Sequence, residues 1–220
     1  MNARGRRIAV FTRAPVPGQV KTRLQPALRP EACATLHRAL VIRTLETCTR
    51  LERVDVELWC TPDRGHAFFH ACARDFGIAL REQPEGDLGA RMYGALADSL
   101  ARNDQALIIG TDCPELDADY LNRAFDTLSR GRNAVVGRAR DGGYVLIGAT
   151  TARQALFEDV EWGGEQVMDQ TRAALRRLGW TWEELAPLRD IDRPEDLIFL
   201  PPSLREVAAG RAGSQLVELG

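Results

Sequence analysis

The chain has 220 residues, 45% of them hydrophobic, enough for one sizeable core and within the range of a single domain. Its 29 basic and 31 acidic residues give a net charge of −2, which excludes a global positive potential for duplex DNA or an anionic membrane. Any anion site must therefore be local, and neither a nucleic acid nor a membrane is expected as a partner.

The opening Met-Asn-Ala-Arg-Gly-Arg-Arg is basic, but only Ile8 to Phe11 follow it as an apolar run. That run is too short for a signal sequence or a membrane span, so a cytoplasmic protein is expected. With its flanks, Arg7 to Thr12, it reads as the first strand. The strand leads into Phe11-Thr-Arg-Ala-Pro-Val-Pro-Gly-Gln-Val-Lys-Thr-Arg-Leu24. Pro15 and Pro17 stiffen this loop, and Gly18 permits a turn that a Cβ would obstruct. Lys21 and Arg23, with Arg13 ahead of them, offer a point charge and planar bidentate donors to phosphate oxygens, and Thr22 adds a hydroxyl. The spacing of a Walker P-loop is absent, and a solvated basic loop is the plainer alternative.

Leu36, Leu40, Leu45, Cys48 and Leu51 then recur at helical spacing. Val54 to Cys60 reads as a second strand and Ile78 to Gln83 as a third. Between them, His66 and His70 stand at i, i+4 near Cys72, but without the glutamate of a His-Glu-x-x-His site, so packing is expected there rather than metal. The five cysteines are odd in number and widely spaced, which argues against a disulfide framework or a zinc ribbon.

Gln83-Pro-Glu-Gly-Asp-Leu-Gly-Ala-Arg-Met92 follows the third strand and opens a helix carried by Leu88, Met92, Leu96 and Leu100. Gly86 and Gly89 thin the backbone at a helix N-terminus able to receive a base, a ribose or an anion, and Asp87 is its cap candidate. A fourth strand, Gln105 to Gly110, delivers Asp112 at its carboxyl edge, where Pro114 stops the strand. Such a carboxylate can hold a divalent cation that bridges phosphates, and Asp117 is the better cap for the helix that follows. Asn133 to Gly137 and Tyr144 to Gly148 read as strands joined by a Gly-rich connection suited to a hairpin. Within it, the glycines of Asp141-Gly142-Gly143-Tyr144 allow close approach of a ligand or of another backbone. In Asp190-Ile-Asp-Arg-Pro-Glu-Asp-Leu197, Pro194 suits a first helical turn, and Asp192 is either a cap or a second carboxylate of the cation site.

Strand, helix, strand alternation implies an α/β/α architecture with a mostly parallel sheet, mixed because of the hairpin, and ligands at the carboxyl edge. One domain is expected over residues 1–200, with 201–220 as a weakly specified, partly mobile tail.

Taken together, Phe11 to Leu24, Gly86-Asp-Leu-Gly-Ala-Arg-Met92, Gly110-Thr-Asp-Cys-Pro114, Asp141 to Tyr144 and Asp190 to Leu197 resemble a bacterial family of nucleotide-diphospho-sugar transferase-like proteins with the glycosyltransferase-A fold. The likeness runs from about Arg7 to Leu197. The wider superfamily includes molybdenum cofactor and phospholactate guanylyltransferases, and some members of the narrower family are linked to arsenosugar synthesis.

The resemblance implies nucleotide binding by Thr12, Arg13, Gly18, Lys21, Arg23, Gly86, Asp87 and Gly89, with Lys21 and Asp112 catalytic. It implies Mg²⁺ or Mn²⁺ on Asp112 and Asp192, and an acceptor side formed by Asp141, Gly142, Gly143 and Tyr144. The chain departs from the pattern in three places. The first loop lacks the Gly-Gly-x-Ser/Thr-x-Arg-Met-Gly pattern of nucleotidyltransferases, Asp112 stands alone where many glycosyltransferases have Asp-x-Asp, and Trp162-Gly-Gly-Glu165 replaces a Trp-Ser-Thr. The first expectation is thus a metal-dependent glycosyltransferase using a nucleotide sugar and a small-molecule acceptor. Nucleotidyl transfer from an NTP to a phosphorylated acceptor is the alternative, and a catalytically silent nucleotide-binding protein a second one.

Overall fold

In the computed structural model, which describes residues 5–210, the apolar runs become a seven-stranded sheet. The elements in chain order are β1 (Arg6–Arg13), α1 (Pro30–Thr49), β2 (Val54–Thr61), α2 (Ala67–Phe76), β3 (Ala79–Glu82), α3 (Leu88–Leu100) and β4 (Gln105–Ile109). They continue with α4 (Ala118–Ser129), β5 (Ala134–Ala139), β6 (Tyr144–Ala149), α5 (Val167–Arg177), β7 (Trp182–Leu188) and α6 (Pro202–Ala208). The strand order is β3-β2-β1-β4-β6-β5-β7. β1 pairs in parallel with β2 and β4, and β5 with β7, whereas β6 runs antiparallel to both β4 and β5. The sheet is therefore mostly parallel with one reversed strand, and the reversal comes from the β5–β6 hairpin expected at Gly137 to Tyr144.

Alternation along each strand divides its side chains between two cores. Ile8 and Val10 of β1, with Leu58, Leu107 and Val135, meet Val41, Leu45, Phe68, Leu121 and Phe125 from α1, α2 and α4. Ala9, with Ile108, Val136 and Ile147, faces Met92, Leu96, Met168 and Leu175 from α3 and α5. Helices on both faces leave the central strands no solvent side, which is why β1 and β4 read as continuous apolar runs. This is the expected three-layer α/β/α architecture with a mostly parallel, mixed sheet.

Two elements go beyond the sequence expectations. β7, Trp-Glu-Glu-Leu-Ala-Pro-Leu, is an edge strand with only Leu185 buried, so it lacks the apolar density that marks the interior strands. Its Pro187 is tolerated because an edge strand needs no second ladder. α6 lies in the stretch read as a weakly specified tail, yet Leu204, Val207 and Ala208 are buried against Leu36 and Leu40 of α1. The mobility expected of the tail concerns residues that include 211–220, which lie outside the described residues.

The chain leaves β1 through α1 towards β2 and β3, then returns to place β4 on the other side of β1. The crevice beyond the carboxyl ends of β1 and β4 is the switch point at which open α/β sheets bind ligands. The loops 14–29 and 110–117 meet there.

Candidate active site

The β4 loop is fastened from several sides. Arg43 Nε donates to the Pro114 carbonyl at 3.0 Å, and Gly110 N donates to Val145 O at 3.1 Å. The irregular segment after β7 laces onto the same loop: Ile191 N donates to Asp112 O at 2.8 Å, and Arg189 N donates to Glu115 Oε2 at 2.9 Å. Ile191 is fully buried, so the aspartates on either side of it, Asp190 and Asp192, are carried to the rim of the crevice.

The first loop closes onto these carboxylates. Lys21, in a left-handed backbone conformation with φ 50°, has a side chain only 3% exposed. Its ammonium donates to the Ile191 carbonyl and lies 2.7 Å from Asp112 Oδ1. Arg23 donates to Asp192 Oδ2 at 2.7 Å and remains 57% exposed. Lys21 is thus turned inward as a tie between two loops, while Arg23 lies on the surface. Thr12 is buried rather than presented at the rim, with its hydroxyl 3.4 Å from His37 Nε2. His37, which the sequence reading passed over, donates from Nε2 to the Arg13 carbonyl at 3.0 Å. Burial lowers its pKa, keeping a neutral ring behind the loop. Arg13 is exposed and Gly18 occupies a turn at the loop's tip.

A cavity of about 250 Å³ opens beside this lattice. Phe11, Leu88, Met92, Tyr144 and Trp162 form much of its apolar wall, and Asp112, Asp141 and Asp190 are its carboxylates. Burial works against ionisation of Asp112, but the charge of the Lys21 ammonium and its hydrogen bond overcome it and hold the carboxyl below its ordinary range. Asp190 behaves in the opposite sense: burial, then the nearby charge of Asp141 and those of Asp112 and Asp192, push it up to about 6. Of the two late aspartates, Asp190 lines the cavity and Asp192 faces Arg23. The signal for this was the apolar Ile191 between two acids, an alternation that puts both carboxylates on the side away from the core.

The far wall depends on two close approaches. A Cβ on Gly142 would lie 2.3 Å from the Glu165 carbonyl oxygen, so only glycine lets the hairpin turn meet the 162–166 loop. Met168 N then donates to Gly142 O at 3.0 Å, pinning the start of α5 to the turn. Gly143 and Tyr144 line the cavity, and Asp141 accepts from Gly143 N at 3.0 Å. Gly89, in the first turn of α3, would place a Cβ 2.8 Å from both Phe157 O and Trp162 Nε1. Its bareness seats the Trp162 indole, which meets Tyr144 edge to face at 6.3 Å. Asp87 caps α3 by accepting from Ala90 N at 2.8 Å, and Gly86 O accepts from Arg91 Nε at 2.9 Å. The structure therefore brings together Asp112, Asp141, Gly143 and Tyr144 around one cavity, with Lys21 buried behind Asp112, while Gly86, Asp87 and Gly89 shape the helix start beside it. Among the described residues, no three His, Cys, Asp or Glu side chains converge as a ready-made metal cage. His66 accepts from Phe68 N at 3.1 Å as a helix cap.

The chain is 29% identical over 212 residues to a phosphoenolpyruvate guanylyltransferase of Nocardia farcinica (strain IFM 10152), covering 79% of this chain and 92% of that protein. It superposes with a TM-score of 0.80 on the crystal structure of a candidate nucleotide-diphospho-sugar transferase of Desulfovibrio desulfuricans G20, at 26% identity, covering 93% and 92% of the two chains. Glucosyl-3-phosphoglycerate synthase of Mycobacterium tuberculosis, solved with Mn²⁺, UDP and glucosyl-3-phosphoglycerate, shares the fold at a TM-score of 0.56 and 12% identity, covering 96% of this chain and 82% of that one. By this kinship the chain is a transferase. Residues 44–164, more than half of the sequence, match the family described as an uncharacterized protein conserved in bacteria, DUF2064, and the chain belongs to that family.

Proposed function

We propose that the protein is a cytoplasmic nucleotidyltransferase, which joins the NMP portion of a nucleoside triphosphate to a phosphorylated small-molecule acceptor. The observation that carries this reading is the similarity to a guanylyltransferase across 92% of that protein's length. It moves the alternative ahead of the glycosyl transfer first expected from the resemblance. Nucleotide-sugar chemistry stays as a second reading because of the 26% identical structure named for it.

In this reading the exposed Arg13 and Arg23 meet the triphosphate, Arg23 exchanging Asp192 for phosphate oxygens. The start of α3, with Gly86 and Gly89, lies beside base and ribose, and Asp141 to Tyr144 face the acceptor. Mg²⁺ or Mn²⁺ fits the donors present: Asp112 and Asp190 are hard oxygen ligands on one cavity, Asp192 is adjacent, and substrate phosphates complete such sites. The ion supplies neutralisation of charge on the leaving pyrophosphate. An acceptor phosphate oxygen forms the new bond to the α-phosphorus as the α–β phosphoanhydride bond breaks. Pyrophosphate leaves and no proton is transferred, so the residues here need only bind and orient.

The test is calorimetric titration with GTP, the other triphosphates, and UDP- and GDP-sugars, each with Mn²⁺. The reading expects micromolar binding of at least one triphosphate that weakens at least tenfold in Asp112→Asn. Binding of nucleotide sugars alone would overturn it in favour of glycosyl transfer.

A further inference from the structure

The walls of the cavity carry an uneven charge. Asp112, Asp141 and Asp190 line it, and among the described residues no lysine or arginine side chain does. Two cations of the first loop are committed elsewhere: Lys21 is buried against Asp112 and the Ile191 carbonyl, and Arg23 is paired with Asp192. The arginines of the β5–β6 hairpin face away. Arg138 lies 3.5 Å from Glu184 Oε2, and Arg140 lines a separate depression with Glu165 and Arg172. Arg189 pairs with Asp196 at 3.8 Å and covers the Phe199 ring. With Asp112 offset by Lys21, the charges of Asp141 and Asp190 face the cavity, so an anionic group meets repulsion on entering it wherever no divalent cation offsets that pair.

The remaining surface suits the opposite charge. The Tyr144 and Trp162 rings stand at 89° to one another, and Phe11, Leu88 and Met92 extend the apolar surface. Aromatic faces combined with carboxylates are the chemistry that holds alkylammonium groups, through the ring quadrupole and through charge. We infer that the part of the acceptor lodged in this cavity is an alkylammonium group. The acceptor is then a zwitterion in chemical class, with its phosphate at the mouth beside Asp112 and its ammonium against Tyr144, Trp162 and Asp141. The phosphate end rests on the nucleotidyl reading above, whereas the ammonium end rests on the cavity walls alone. The acceptor named for the guanylyltransferase relative, phosphoenolpyruvate, carries a carboxylate where this cavity accepts a cation.

Binding of choline, its uncharged isostere 3,3-dimethylbutan-1-ol and phosphoenolpyruvate, followed by tryptophan fluorescence and calorimetry with and without Mg²⁺, isolates the charge. Choline is expected to bind at least tenfold more tightly than the isostere. That preference should fall several-fold in Asp141→Asn, and the fluorescence response should be lost in Trp162→Phe. Equal binding of choline and isostere, tighter binding of phosphoenolpyruvate, or no binding of choline overturns the inference. The two readings fail separately. Choline binding without any productive triphosphate removes nucleotidyl transfer and leaves the ammonium assignment, whereas pyrophosphate release with phosphoenolpyruvate as acceptor does the reverse.

Discussion

Replacing Asp190 by Asn should make the protein more stable at alkaline pH. Its carboxyl is pushed up to about 6 from 3.8, by burial first and then by Asp141, Asp112 and Asp192. A raised carboxyl pKa means that the folded state binds the proton more tightly than the unfolded state. The associated stability is complete below about pH 4 and is lost as pH rises through 6. A shift of about two pH units corresponds to about 3 kcal/mol, trimmed to about 2 kcal/mol by the group's partial exposure. Asparagine fills the same space without the charge. Asp190→Asn should therefore gain about 2 kcal/mol at pH 8, or about 4–8 °C in Tm for a chain of this size, and less than about 1 kcal/mol at pH 4.5. Urea denaturation at both pH values in a chelating buffer measures this. Mn²⁺ should then raise the Tm of the natural protein more than that of the variant. A variant that is no more stable at pH 8, or that shows the same gain at both pH values, would refute the picture of a carboxylate held ionised among like charges.

Lys21→Met leaves the Ile191 carbonyl and Asp112 Oδ1 without their donor and should cost about 1–3 kcal/mol. Adding Asp112→Asn should restore part of that loss, and strict additivity in the double-mutant cycle would contradict the tie. Gly89→Ala drives a methyl group against Phe157 O and Trp162 Nε1, each 2.8 Å away, and should cost about 1–3 kcal/mol. The same change should alter tryptophan emission, and an alteration that persists in a Trp162→Phe background would place the disturbance elsewhere.

What was legible in the chain follows from which interactions are local. β1 and β4 announce themselves because both faces are covered, and Asp87 and Asp117 could be named as caps because capping spans three residues. The hairpin at Asp141 to Tyr144 was equally visible from its glycines. β7 was not, because an edge strand that sets half-buried glutamates beside a single buried leucine carries no apolar run, and α6 was not, because its amphipathic face matters only once α1 is beside it. At the site, composition marked the basic loop and Asp112 but could not show which way each side chain turns. Whether Lys21 meets phosphate or protein depends on a segment 170 residues away. Asp190 escaped for the same reason, since its environment is assembled from loops that sequence distance separates.

The central claim is that the crevice between β1 and β4 serves transfer of a nucleotidyl group. The most direct measurement follows the label of α-³²P GTP, with Mg²⁺ or Mn²⁺, into phosphorylated acceptors with and without an ammonium group, while pyrophosphate is counted. Nucleotidyl transfer predicts a labelled product bearing the α-phosphate and an equal amount of pyrophosphate, both lost in Asp112→Asn. Release of a nucleoside diphosphate from a nucleotide sugar, with no label transferred from any triphosphate, would contradict it.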